Sequence, residues 1–245
     1  MNTTLDWEWA QRSSGNLSPR QKLHLTRMIV TEAPSAIVGA VRYRLGRYGG
    51  ARAELGAFPD SRLARQAVDQ AREDLSPHLL EHAYRSYFFG KALAGAAGVG
   101  VDDELVFVSC LLHDLTLETP TPGQCSAYVS GMRAAELVQL WGAAPDRAQA
   151  VGAAVCGHIS PHAGLDDPAG FVLAGSSADV VGRGLERLDP AWVAQVLSRY
   201  PRRGLNKKVI GAMQAEAAAV PDGRVRHGDR MAKISLMIKL SPFTE

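Results

Sequence analysis

The chain has 245 residues, 46% of them apolar and 21% charged, with a formal net charge of +2. That is enough chain for one substantial hydrophobic core, with an ordinary globular composition. The nearly balanced charge gives no general drive toward nucleic acid or an anionic membrane, so neither is expected as a partner.

In chain order, the first residues, MNTTLDWEWAQRSSGNLSPR, carry no apolar core of signal-peptide length. Residues 19–32 and 35–48 read as two helices of an N-terminal helical arm spanning 1–58. The basic stretch Arg42, Arg44, Arg47 and Arg52 reads as a solvated helix face; the alternative is a patch that steers an anionic substrate or partner. Pro59-Asp60-Ser61 then opens a helix over 60–75, in which Leu63, Ala67, Ala71 and Leu75 recur every four residues. Further helices are predicted over 78–97, 103–115, 127–141, 146–158, 169–187, 190–199 and 205–219. Aspartate or serine beside proline marks several starts, and Gly98 to Gly100 marks an end. Residues 59–220 form the expected core.

A last helix over 230–239 falls in a C-terminal segment, 221–245. It is apolar enough to pack on the body or on a second subunit, which would make a homo-oligomer. No run alternates with period two, so an all-α fold is expected. The longest strongly apolar stretch, near Leu105 to Leu112, falls well short of the roughly 20 residues a bilayer span needs. A soluble, cytoplasmic protein is expected. Cys110, Cys125 and Cys156 are odd in number and widely spaced, with no C-x-x-C pattern. Neither a disulfide framework nor a thiolate zinc site follows.

Four acid or imidazole positions sit oddly inside apolar helices. His82 lies in Glu81-His82-Ala-Tyr-Arg85-Ser-Tyr-Phe-Phe-Gly90. His113-Asp114 ends Leu105-Val-Phe-Val-Ser-Cys-Leu-Leu112, and Asp179 is flanked by Ala178 and Val180. A buried ionised carboxylate costs several kcal/mol unless it is paired or binds a metal. One divalent ion would neutralise both Asp114 and Asp179, and the imidazoles of His82 and His113 would complete its shell. The ligand order is His, His-Asp, Asp, with spacings of 31 and 65 residues, each on its own predicted helix. Such a site leaves room for a water that the ion acidifies.

Arg85, one turn after His82, faces the same cavity as a substrate-binding group, or else makes a structural ion pair with a buried carboxylate. His158, at the end of Val151-Gly-Ala-Ala-Val-Cys-Gly157, reads as an acid/base beside the ion, a further ligand, or a core histidine. His162 follows Pro161, which should end the helix, so it is expected to bind substrate rather than pair with His158 on one helix. Glu118 reads as an exposed loop residue or a base. His24, His78 and His227 read as structural or surface residues.

The order His82, His113-Asp114, Asp179 resembles the HD-domain superfamily of metal-dependent enzymes over roughly residues 59–205. The resemblance implies an all-α HD-domain bundle with the metal at its centre. Its ligands would be His82, His113, Asp114 and Asp179. Within it, the chain is most similar to the cyanamide hydratase-like branch. The matching strings are His82-x-x-Arg85-x-Tyr-x-Phe-Gly90, Cys110-Leu-Leu-His-Asp114, Asp179-Val-Val-Gly182, Tyr200-Pro201-Arg202, Pro59-Asp-Ser-x-Leu-Ala64 and His158 in the segment before a proline. Thr116 and the stretch Cys125 to Gly131 depart from that branch's pattern, beside the expected pocket.

The function implied is a metal-dependent hydratase (lyase) or hydrolase acting on a small nitrogen-containing, cyanamide- or nitrile-like substrate. One divalent ion per chain is expected. Zinc is the first choice, and iron, manganese and cobalt suit the same ligand types. Asp114 or His158 would take the proton of the attacking water. The alternatives are a phosphomonoester hydrolase on a nucleotide, a dinuclear oxygenase using His158 and His162, and a non-catalytic metabolite-binding HD scaffold.

Overall fold

The computed structural model describes residues 4–56, 58–161 and 164–243. Among them there are twelve α-helices, one short 3-10 turn at Leu185–Arg187, and no strand. The helices are α1 (Trp7–Ser13), α2 (Pro19–Arg44), α3 (Arg62–Asp74), α4 (Pro77–Ala96), α5 (Asp103–Leu112) and α6 (Ser126–Leu140). Then follow α7 (Pro145–Gly157), α8 (Pro168–Val181), α9 (Pro190–Arg199), α10 (Leu205–Ala219), α11 (Arg224–Ala232) and α12 (Ile234–Lys239). The expected all-α class is what the chain adopts.

Local chemistry explains the starts. Proline opens α4, α7, α8 and α9, where a missing N–H costs nothing. Asp167 and Asp189 accept from the first amides of α8 and α9, and Asp102 caps α5 through the Leu105 amide.

Two expectations fail at the ends of the chain. The predicted helices 19–32 and 35–48 are one 26-residue helix, α2, with Pro34 inside it. A capping box between Ser18 and Gln21 starts this helix strongly. Pro34 is exposed, so the bond it cannot make is lost on the solvent side. The predicted helix 230–239 is two short helices instead, because Lys233 takes the left-handed conformation, at φ 53°, between α11 and α12. Residues 7–13, where the sequence predicts no helix, form α1, capped by Asp6.

The core surrounds α5. Residues 105–112 are all buried, as expected of a helix apolar on every side, and α3, α4, α7 and α8 pack around it. Glycines let two helix pairs approach closely. A Cβ on Gly175 of α8 would strike the Ser86 carbonyl oxygen of α4, and one on Gly90 would lie 2.6 Å from the Phe171 ring. In α6 and α7, Gly131 and Gly152 abut in the same way. The first contact matters for function, because it brings the His82 turn of α4 against the Asp179 turn of α8.

The N-terminal residues also join the body. Leu5, Trp9, Ala10, Leu17 and Leu25 share a buried cluster with Cys156. Arg224 of α11 is buried over the Trp9 ring, at 5.3 Å, and donates to Ser160 Oγ at 2.9 Å. No helix among the described residues is long and apolar enough to cross a membrane.

Candidate metal centre

Four helices deliver the polar cluster. His82 comes from α4 and Asp179 from α8, while His113 and His158 are the C-cap residues of α5 and α7. At a helix C-terminus the last carbonyls have no amide partner within the helix. Each C-cap histidine uses one of them: His113 Nδ1–H donates to the Cys110 carbonyl at 2.7 Å and His158 Nδ1–H donates to the Val155 carbonyl at 2.6 Å. His82 Nδ1–H donates to Asp179 Oδ2 at 2.6 Å. Each acceptor lacks a proton, so each neutral ring must carry its hydrogen on Nδ1 and leave Nε2 bare.

Those bare nitrogens converge. His82 Nε2 and His113 Nε2 are 3.2 Å apart. Asp114 Oδ2 lies 3.2 Å from His113 Nε2 and 3.8 Å from His82 Nε2. Asp114 Oδ1 faces His158 Nε2 at 3.9 Å. Ser86 Oγ, 3.5 Å from His82 Nε2, stands at the limit of hydrogen bonding. Ligand atoms of His82, His113 and Asp114 all lie within 4.8 Å of one another, the geometry of a group that could hold an ion. Two bare nitrogens 3.2 Å apart repel unless a proton or a cation lies between them.

The charges are arranged to keep the carboxylates ionised. Burial acts to raise the pKa of Asp114, but the His113 charge and hydrogen bond, with His158 and His82, outweigh it and hold the group well below the usual carboxylate range. Burial acts to lower His113, yet Asp114 reverses the effect and raises it. Burial, helped by the His113 charge, pushes His158 down to about 3, so this imidazole is neutral near pH 7. His82 is likewise lowered by burial, against the pull of Asp179.

Asp179 occupies a different place from the one the sequence predicts. It is fully buried and stands behind His82, outside the group of atoms that could share an ion. Its Oδ2 holds His82, and its Oδ1 accepts from Arg85 Nε at 2.8 Å and from Arg202 Nη1 at 2.7 Å. Burial acts to raise Asp179, and the Arg85 charge, with His82 and Arg202, keeps it low.

Arg85 is therefore not on a pocket wall. It is fully buried, and its Nη1 donates to the carbonyls of Tyr200 and Pro201 at 2.8 and 3.0 Å. The ion pair with a buried carboxylate, rather than the substrate contact, is the arrangement present. Arg202, from the Tyr200-Pro201-Arg202 segment, completes the clamp and also donates to the Asp179 carbonyl at 2.8 Å. The signal for it was available: a carboxylate as buried as Asp179 needs cations. His162 lies outside the described residues.

The site opens on one side. A pocket of about 180 Å³ touches Asp114 and is walled by Leu75, Leu79, Thr119, Glu118 and the pair Asp74–Arg133. Arg133 Nη2 meets Asp74 Oδ2 at 2.7 Å, and Glu118 meets His78 Nε2 at 3.1 Å, with Lys208 Nζ 3.3 Å from His78 Nδ1. Glu118 thus has a buried partner in His78, which supports the pocket wall from behind. Neither Arg133 nor Asp74 carries a sequence signal. No protein-family model matches the chain, and no curated protein matches it.

Proposed function

We propose that the chain is an HD-type metal-dependent enzyme that binds one divalent cation between His82, His113 and Asp114. It acts as a hydratase or hydrolase on a small nitrogen-containing, cyanamide- or nitrile-like molecule. The observation that carries the reading is the convergence of the His82 and His113 Nε2 atoms on the Asp114 carboxylate. The His82 and His113 Nε2 atoms, 3.2 Å apart beside Asp114, form a donor set that imidazole- and carboxylate-binding ions fit. Zinc is the first choice, with iron, manganese and cobalt sharing those preferences.

When bound, the ion would supply Lewis acidity that makes a neighbouring water a better nucleophile at neutral pH. The chain's own residues do the rest. Backbone carbonyls fix the tautomers of His113 and His158, and Asp179 fixes that of His82, which aims each Nε2 inward. Arg85 and Arg202 hold Asp179 in place and anionic. His158 Nε2 faces Asp114, so this ring is placed to exchange a proton between the attacking water and a developing nitrogen anion. The 180 Å³ pocket over Asp114 admits a small molecule.

One observation favours a second reading. Arg133 lines the pocket, and a guanidinium there suits the phosphate of a nucleotide, as in a phosphomonoester hydrolase.

Metal analysis of the purified protein tests the shared premise. About one equivalent of a transition metal, lost in His113→Ala and His82→Ala, is expected. Metal-free wild-type protein that stays metal-free when offered zinc, iron, manganese or cobalt would sink both readings and leave a proton between the rings. Turnover of cyanamide or a nitrile, set against release of phosphate from nucleoside monophosphates, then separates them.

A further inference from the structure

Helix α2 is apolar on two sides. Its inner side, with Gln21, Leu25 and Gly39, is buried on the body. Its outer side carries Leu23, Val30, Ile37, Val38 and Val41, continued by Leu45, and these six are 50–65% exposed. At the helical repeat they fall within an arc of about 100° along roughly 33 Å. An exposed apolar stripe of that length is uncommon on a monomer and marks a covered face.

The charge around it identifies the cover. Residues 19–52 contain seven Lys or Arg and one acid, Glu32, for a net +6; with +2 overall, the remaining residues sum to −4. The single acid is taken up by Arg183, 2.5 Å away. Arg27 falls inside the apolar arc, Arg44 on its rim and Arg42 beside it, and Arg47 follows the helix end, all exposed. The whole-chain charge, from which no membrane partner is expected, averages over this asymmetry.

A second copy would press one +6 face against another. A nucleic acid would answer the arginines but offer no bed for the apolar stripe. A bilayer surface rich in anionic lipid answers both, with arginine stems lying along the acyl boundary and their heads at the phosphates. We propose that α2 is an in-plane docking helix that lays the chain on anionic membrane surfaces without crossing them.

Flotation of the full chain with lipid vesicles tests this. Binding is expected to vesicles containing phosphatidylserine but not to pure phosphatidylcholine, and it should weaken as salt rises. Arg42→Gln and Arg44→Gln should each weaken partitioning about fivefold. Ile37→Asp and, separately, Val30→Ser should reduce it while circular dichroism stays unchanged. Equal binding to neutral vesicles would overturn the proposal. So would retention by DNA with no vesicle binding. A dimer by light scattering that Ile37→Asp dissociates, again without vesicle binding, would assign the face to a second copy.

Discussion

The bundle centre and helix α2 invert the usual distribution of polarity in opposite ways. At the centre, Asp179, two arginines and three imidazoles are buried beside the half-buried Asp114, and each meets a group of complementary charge or hydrogen-bonding kind. On α2, large apolar side chains are exposed. Misplaced polar groups can be satisfied from within, by pairing. Misplaced apolar groups can be satisfied only from outside. The first region is therefore a feature of the fold and the second an expectation about surroundings.

Variants that break the internal pairing should have the largest effects. Asp179→Ala leaves Arg85 and Arg202 as buried cations without their carboxylate, and a loss of roughly 3–5 kcal/mol in urea unfolding is expected. A midpoint equal to wild type would show that the clamp does not hold the centre together. Gly175→Val attacks the same region through the backbone, because its Cβ meets the Ser86 carbonyl. An overpacking cost of about 1–3 kcal/mol is expected, along with weakened metal binding as His82 is displaced from Asp179.

Metal removal comes next. A chelator should lower the melting temperature of wild type, by an amount corresponding to about 2.7 kcal/mol where the ion is present at a hundred times its dissociation constant. The same chelator should leave His113→Ala unchanged.

A surface pair gives a smaller effect with a defined pH window. Asp102 has a lowered pKa, first because of its hydrogen bonds from Arg147. Its contribution to stability is present above the unfolded value of about 3.9 and is lost as pH falls through the lower folded value. Arg147→Ala should flatten that part of the acid limb in a stability-versus-pH series. Smallest of all, Val38→Ser on α2 should move stability of the dilute protein by no more than about 0.5 kcal/mol. A larger loss would mean that the stripe is packed by the chain itself.

Much of the bundle was legible because its start signals are local. Proline with aspartate or alanine at 144–145, 167–168 and 189–190 sets helix ends without help from the rest of the fold. The meeting of His82 with His113 and Asp114 was legible through polar residues set in apolar helices, through their order and spacing, and through the HD-domain resemblance, while a place for His158 beside them was one of three readings. What escaped depends on partners distant in sequence. Asp179 pairs with Arg202 rather than joining the group of His82, His113 and Asp114, Glu118 finds His78, and Arg133 finds Asp74. No spacing rule encodes those contacts. Pro34 escaped for the opposite reason: its local signal for a break is overridden, because a single lost bond on the exposed side of a well-capped helix costs less than a second start and stop.

The two C-cap histidines carry an evolutionary consequence. Each ring is steered by a carbonyl only three positions earlier, through Cys110 and Val155. Any residue supplies a carbonyl, so the aim of these rings does not depend on the identity of the side chains at the anchors. The surrounding helices can then diverge widely while the inward-pointing nitrogens stay in register. A centre built this way can persist in chains that share little else, and its trace in a sequence shrinks to a few well-separated letters.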